Sequence, residues 1–354
     1  MRESIRERSN MNTNEANGIK LVDGLMPRLI AIDHGWSSIK TPNFIFENGI
    51  KELKTMPATK ENVLEYRGKI YVVGQGRMGK QETKTENDNY YLLTLVAIAR
   101  EIKRVGYSTV QKVDLAVGVP LTLYGKEKKA FKNYLRANDK VGFHYEGVRY
   151  VIHFGKVRVF AQCHAAIANR MDGMDRLTAV DCGSWTLDIM SVVNKVPVLD
   201  DCHTYQLGLI TAIDRIQKEC YAVHGKEIPE YIINEVIEKG DTDAIANNKA
   251  AIMDTINAGL KRYALEVEAK LRELKIDFDF TNVVYVGGGA GVMRRFGSCT
   301  GDNVRYVTDV RANALGYQYL AQNLAVYRLQ QVIRAVILYC LLCKTKFRIS
   351  AQYN

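Results

Sequence analysis

The chain has 354 residues, of which 47% are hydrophobic and 25% charged, a globular composition with length enough for two ordinary domains. Lys and Arg number 49 against 39 Asp and Glu, a formal charge of +10 that suits anionic partners without naming one. No run of 18 apolar residues occurs, which argues against a transmembrane helix, and the polar, mixed-charge stretch 1–26 lacks the apolar centre of a signal peptide.

Residues 1–26 read as a flexible extension, and a folded core starts near Met26-Pro27-Arg28. Strands are expected at 29–33, 43–47 and 69–73, with turns at Asn48-Gly49 and Arg67-Gly68. The first strand runs into Asp33-His34-Gly35-Trp36-Ser37-Ser38-Ile39-Lys40. A helix is expected at 89–105, a strand at 113–119 stopped by Pro120, and a basic amphipathic helix at 126–138. Strands at 147–160 and a helix at 161–171 complete the first half.

The second half restarts the theme. An apolar strand from Thr178 runs into Asp181-Cys182-Gly183-Ser184-Trp185-Thr186-Leu187-Asp188 and returns as a strand to Val193. Helices are expected at 207–221 and 249–274, and a strand at 282–286 enters Gly287-Gly288-Gly289-Ala290-Gly291. The chain from Ala312 onward reads as helical. No Asp or Glu follows Asp309, whereas Arg311, Arg328, Arg334, Lys344, Lys346 and Arg348 do, so the tail is basic and fits an acidic partner. The apolar segment 335–343 is too short to span a bilayer and reads as a packing helix. Seven Cys in irregular positions indicate reduced thiols and a cytoplasmic setting; Cys340-Leu341-Leu342-Cys343 is a lone CxxC without the second pair a zinc site needs.

The two Asp-x-Gly turns carry the chemistry. Glycine permits close backbone approach, and the turn N–H groups and the hydroxyls of Ser37, Ser38, Ser184 and Thr186 can cradle phosphate oxygens. Asp33 and Asp181 can hold the water shell of Mg²⁺, although either could also be a plain Asx-turn residue. The triple glycine lets a flat ligand lie on the backbone, but it matches neither the dinucleotide GxGxxG nor a Walker A loop.

These three loops, in this order and spacing, resemble the actin-like ATPase superfamily, and within it the bacterial ParM-like plasmid-segregation filament proteins. Asp33–Lys40 is similar to that family's first phosphate loop, Asp181–Asp188 to the second, and Val286–Ala290 to the adenosine loop. Tyr71-Val72-Val73-Gly74, Val117-Gly118-Val119-Pro120 and Ala312-Asn313-Ala314-Leu315-Gly316-Tyr317 resemble smaller family motifs, so the likeness spans about 29–322.

The resemblance implies an α/β fold, duplicated and ribonuclease H-like, with the nucleotide between two domains. The first would be 27–178, with a small subdomain at about 41–105. The second would be 179–321, and 322–354 a C-terminal helix packing back on the first domain or on a partner. It implies ATP or GTP with Mg²⁺ through water on Asp33 and Asp181. Gln162 would orient the attacking water, though Ala161 stands where the family commonly has Pro. Asp33, Gly35, Trp36, Ser37, Ser38, Lys40, Gly183, Ser184, Trp185, Thr186, Gly208, Lys261, Gly287, Gly288, Gly289 and Ala290 would bind the nucleotide. Arg262, Glu266 and Glu268 would be its neighbours on the long helix. The function implied is hydrolysis coupled to dynamic head-to-tail filaments that segregate plasmid DNA through a DNA-bound adaptor, without direct nucleic-acid or membrane binding. A small-molecule kinase and a membrane-associated cell-shape filament are the alternatives.

Overall fold

The computed structural model describes residues 27–324, apart from 80 and 172. Two sheets organise these residues. The first is built on β1 (Arg28–His34), β2 (Ser38–Lys40), β3 (Ile45–Glu47), β7 (Val110–Val119) and β9 (Val148–Ala161), in the order β3-β2-β1-β7-β9. The pairs β3–β2 and β2–β1 are antiparallel, whereas β1–β7 and β7–β9 are parallel. The second sheet is β10 (Arg176–Cys182), β11 (Leu187–Val193), β12 (Val196–Tyr205), β13 (Val283–Val286) and β14 (Val304–Tyr306), in the order β12-β11-β10-β13-β14. Its pairs run antiparallel, antiparallel, parallel and parallel in the same sequence. The duplication visible in two turns therefore extends to five strands of each sheet.

β1 and β10 sit between neighbours within their sheets and are covered on both faces, which is why their sequences are continuous apolar runs rather than alternating ones. Each presents Asp as its penultimate residue. Asp33 faces Lys40 across the hairpin and Asp181 faces Asp188, so both turns stand at the same ends of equivalent strands.

The first sheet continues past β9 through β8 (Lys140–Tyr145), β5 (Val63–Tyr66), β6 (Lys69–Val73) and β4 (Ile50–Leu53), all antiparallel. Helix α1 (Asn89–Val105) buries Tyr90, Leu93, Ala97 and Ile98 against this sheet, and α2 (Tyr124–Leu135) adds Phe131 and Leu135. On the second sheet, α4 (Leu209–His224), α5 (Glu230–Lys239) and α6 (Lys249–Glu273) share one core around Ile216, Ile233 and Leu260. The short α7 (Ala290–Phe296) starts directly after the triple glycine.

One expectation differs, and one helix is unanticipated. The helix expected at 161–171 is reduced to α3 (His164–Ile167). Ala161 is instead the last residue of β9, held by pairing with Val119, and Cys163 has φ +64°, which no right-handed helix accepts. Helix α5 was not expected from sequence, although Pro229 ahead of it, Ile232, Ile233, Val236 and Ile237 on one face, and Gly240 behind it are a helix signature.

The helix at 312–324 bridges the halves. Ala312 packs with Val284 and Val286 of the second sheet, whereas Tyr317 and Ala321 pack with Ala31 and Ala116 of the first. A Cβ on Gly316 would lie 1.8 Å from the carbonyl oxygen of Ala165, so only glycine lets the helix lie this close to α3. Among the described residues no helix is long and apolar enough to cross a membrane. The extension 1–26, the apolar segment 335–343, the Cys340–Cys343 pair and the basic residues from Arg328 onward lie outside the described residues.

Candidate nucleotide site

The two turns are closed by the same bond. Gly35 N–H donates to the Ser38 carbonyl at 3.1 Å, and Gly183 N–H to the Thr186 carbonyl at 3.0 Å. A Cβ on Gly35 would stand 2.7 Å from both Lys40 Nζ and the Ser38 carbonyl, so glycine is what lets Lys40 fold over its own turn. Lys40 Nζ reaches Asp33 Oδ2 at 3.4 Å.

Gln162 follows β9 directly and its amide Nε2 donates to Asp33 Oδ1 at 2.9 Å. The residue singled out for water positioning is thus beside the first aspartate, 129 positions away in sequence. Asn313 performs the matching service for the second. Its Nδ2 donates to Asp181 Oδ2 at 3.2 Å, and its Oδ1 accepts from the Cys163 backbone at 3.1 Å. The quoted helix motif contained Asn313, but nothing in the sequence said that this side chain reaches Asp181.

The triple glycine passes over the second turn. Gly287 has φ +82°, and a Cβ there would lie 2.3 Å from Asp181 Oδ1; Gly289 N–H donates to the Cys182 carbonyl at 2.9 Å. Ala290 is buried as the first residue of α7. Gly208 holds α4 against the second turn: its Cβ would lie 2.3 Å from the Ser184 carbonyl oxygen, and Leu209 N–H donates to the Gly183 carbonyl at 3.0 Å.

A cleft opens between the halves. Ser37, Ser38, Glu47 and Arg77 line one wall; Ser184, Gly288, Leu209, Ile213, Glu230, Asn234, Ile237 and Glu238 line the other. Arg77 and Glu230 form an ion pair across its mouth. The structure does not bring Lys261 there. Lys261 is exposed, Arg262 pairs with Glu219, Glu266 pairs with Arg215, and Glu268 is buried, accepting from Ser298 N–H at 2.6 Å. The physical reason is the phase of α6, whose Ile256, Leu260, Tyr263 and Val267 stripe faces the core and turns Lys261 outward. The wall beyond the turns comes from α4 and α5 instead.

Trp36 is not a free wall of the turn. Its ring meets Tyr90 of α1 edge-on with centroids 6.2 Å apart, and its carbonyl accepts from Asn48 Nδ2 at 2.9 Å. His164 lies apart from this group, with Nε2 3.4 Å from the Lys195 carbonyl.

The floor of the cleft concentrates charge away from water. Asp33 is 3% exposed and Asp181 is 7% exposed. Burial raises the Asp33 carboxyl, but Lys40, Lys84 and the Gln162 amide outweigh it and leave Asp33 below the ordinary carboxylate range. At Asp181 burial and the Asp188 charge prevail, and the carboxyl is pushed up to about 7. Asp188 is raised by burial, although Thr204 and Thr186 donate to it at 2.5 and 2.9 Å. His34, buried behind Asp33, is held neutral, lowered to about 3 by burial and the neighbouring Lys84.

Among the described residues no group of three or more His, Cys, Asp or Glu is arranged to hold a metal directly. Two carboxylates at the mouths of two glycine turns nonetheless fit Mg²⁺, which keeps most of its waters and is bound through one or two carboxylates plus phosphate oxygens. The glycine at 287 matters here, since any side chain would fill the space against Asp181 Oδ1.

Two sheets with a five-strand topology in common, each delivering an aspartate and a glycine turn to a common cleft, define the class of duplicated two-domain proteins that hold a nucleotide between their halves. Comparison with known families agrees. Residues 31–164 match the N-terminal domain of actin-like proteins, and residues 179–296 match the MreB-like C-terminal domain of archaeal actin homologues. The chain belongs to the actin-like ATPase superfamily.

Ta0583, an archaeal actin homologue in complex with ADP, is 19% identical, with a TM-score of 0.67 over 84% of this chain and 99% of that one. The actin-like protein Alp7A is 14% identical, with a TM-score of 0.68 over 87% and 99%. Bacillus thuringiensis ParM with ATP is 16% identical, with a TM-score of 0.61 over 84% and 99%. A comparison with curated protein sequences finds no match.

Proposed function

We propose that this chain hydrolyses ATP or GTP and couples hydrolysis to head-to-tail assembly into dynamic filaments in the cytoplasm, serving plasmid segregation through a DNA-bound adaptor. The observation that carries the reading is the pairing of Gln162 with Asp33 at the floor of a cleft whose opposite side supplies Asp181. Phosphoryl transfer to water asks the protein mainly for positioning and charge stabilisation. Asp33 and Asp181 would hold Mg²⁺ through water, and the ion would neutralise phosphate charge. Lys40 and the hydroxyls of Ser37, Ser38, Ser184 and Thr186 would grip phosphate oxygens. Gln162, fixed by its bond to Asp33, would present its amide to the attacking water.

Nucleotide bound to both walls favours the closed arrangement, and a heterologous contact that does not close on itself gives an open filament. Likeness to the Alp12 filament structure supports this assignment of assembly, and the resemblance of the loops to ParM-like proteins supports the plasmid role. Pelleting and light scattering at a few micromolar protein, with Mg²⁺ and ATP, GTP, ADP or no nucleotide, provide the test. Scattering that rises with a triphosphate and decays with phosphate release is expected. Phosphate release that requires an added small molecule, without assembly, would identify a kinase instead.

A further inference from the structure

Lys84 is a buried ammonium that no sequence motif marks. It lies in the loop between β6 and α1, is 2% exposed, and is among the largest fully buried side chains of the protein. Its Nζ donates to the Gly118 carbonyl at 3.0 Å, at the end of β7. An ammonium carries three donors and has no acceptor function, so one neutral carbonyl satisfies it poorly. Its charge is felt by groups from both halves: Asp33, His34 and Lys40 on β1 and β2, Glu127 on α2, and Asp188 on β11. The Phe131 ring lies 5.8 Å from Nζ. None of these carboxylates forms an ion pair with it; Asp33 is committed to Lys40 and Gln162, and Asp188 to Thr186 and Thr204.

A lysine held this deep, within the field of three carboxylates of which Asp33 and Asp188 are engaged elsewhere, is arranged for an anion that arrives beside Asp33. Among the described floor residues Asp33, Asp181 and Asp188 face Lys40, so a triphosphate arriving with Mg²⁺ still meets more carboxylates than cations of the protein. We propose that Lys84 is a second phosphate-binding cation, which donates to the terminal phosphate of the bound triphosphate and so makes the cleft distinguish triphosphate from diphosphate. The proposal rests on the nucleotide reading above. Lys84 is as buried as Asp33, so contact with a phosphate requires the two walls to part and close again around it.

The test is a titration of wild-type protein and Lys84→Gln with ADP and with a non-hydrolysable ATP analogue, and with the guanine counterparts in parallel, in Mg²⁺. Glutamine retains an N–H donor, one bond short of the lysine nitrogen, and removes the charge. Loss of one charge-assisted phosphate contact is expected to weaken analogue binding roughly 10–100-fold while diphosphate binding stays within about twofold. Lys84→Arg is expected to restore part of the preference. Equal loss of both nucleotides, or no loss of either, would overturn the proposal and assign Lys84 to capping β7. Wild-type protein that binds no nucleotide would overturn the functional reading itself and this inference with it. Should Lys84→Gln not fold, wild-type protein with ¹³C-labelled lysine provides the same readout. The Lys84 Cε resonance is expected to shift on adding beryllium fluoride to the ADP complex, and a resonance that does not move refutes the contact.

Discussion

Asp181→Asn should make the nucleotide-free protein more stable while removing its activity, and the size of the effect should depend on pH. The Asp181 carboxyl ionises near 7 in the fold instead of at its ordinary 3.8, because burial and Asp188 oppose its charge. The folded chain therefore holds this proton more tightly than the unfolded chain, and wild-type stability falls as pH rises from about 4 to about 7, then levels. The difference of 7 and 3.8, at about 1.4 kcal/mol per pKa unit, places the full penalty near 4 kcal/mol above about pH 8 and under about 2 kcal/mol at about pH 5.

Asparagine keeps the oxygen that accepts from Asn313 and carries no charge to bury. It brings an NH₂ group that needs its own partners, so the net gain expected is about 1–3 kcal/mol at about pH 8.5, several degrees in Tm, and much less at about pH 5. The assay is thermal unfolding of both proteins in EDTA, without nucleotide, across that range. A variant less stable than wild type at about pH 8.5, or a difference independent of pH, would show that burial of the Asp181 charge does not cost the fold stability. With Mg²⁺ and nucleotide the order reverses, because only the carboxylate serves the cation; Asp181→Asn and Asp181→Ala should both lose turnover.

Gln162→Ala should retain nucleotide binding and hydrolyse about 10²-fold more slowly, measured by titration and phosphate release; lost binding would show that the amide mainly orders Asp33. Gly287→Ala places a Cβ 2.3 Å from Asp181 Oδ1 at a residue with φ +82°, so the strain alone should cost about 1–2 kcal/mol, and Mg²⁺-dependent nucleotide affinity should fall. Unchanged Mg²⁺ dependence in a titration would count against Asp181 as a metal group. Arg77→Ala removes the pair with Glu230, whose side chains are 24% and 34% exposed, so stability should change by under about 1 kcal/mol. Nucleotide dissociation, followed by stopped flow, should nevertheless quicken several-fold, because the pair joins the two walls at the mouth; an unchanged rate would mean the mouth is held by other contacts. His34→Gln should flatten loss of stability in acid. The His34 imidazole is lowered to about 3, so its contribution is present above about pH 6.5 and lost as pH falls, which acid unfolding midpoints would register.

What the sequence determined is local. An apolar run ending in Asp-x-Gly fixes a strand and its turn within about ten residues, so Asp33, Lys40, Asp181 and the triple glycine were legible, and their recurrence announced the duplication. The long helix α6 was legible too, as a helix expected at 249–274. Which wall of the cleft that helix would form was not, since periodicity states that a face is buried and not against what.

Only the tertiary structure could bring Asn313 to Asp181 across 132 positions, or Gln162 to Asp33 at bonding distance across 129. It also decided that α5 rather than Lys261 shapes the cleft, and that Lys84 is sealed under its floor. Those contacts depend on how two sheets and a bridging helix dock. Docking is set by the summed burial of many side chains, and no short segment of the chain records it.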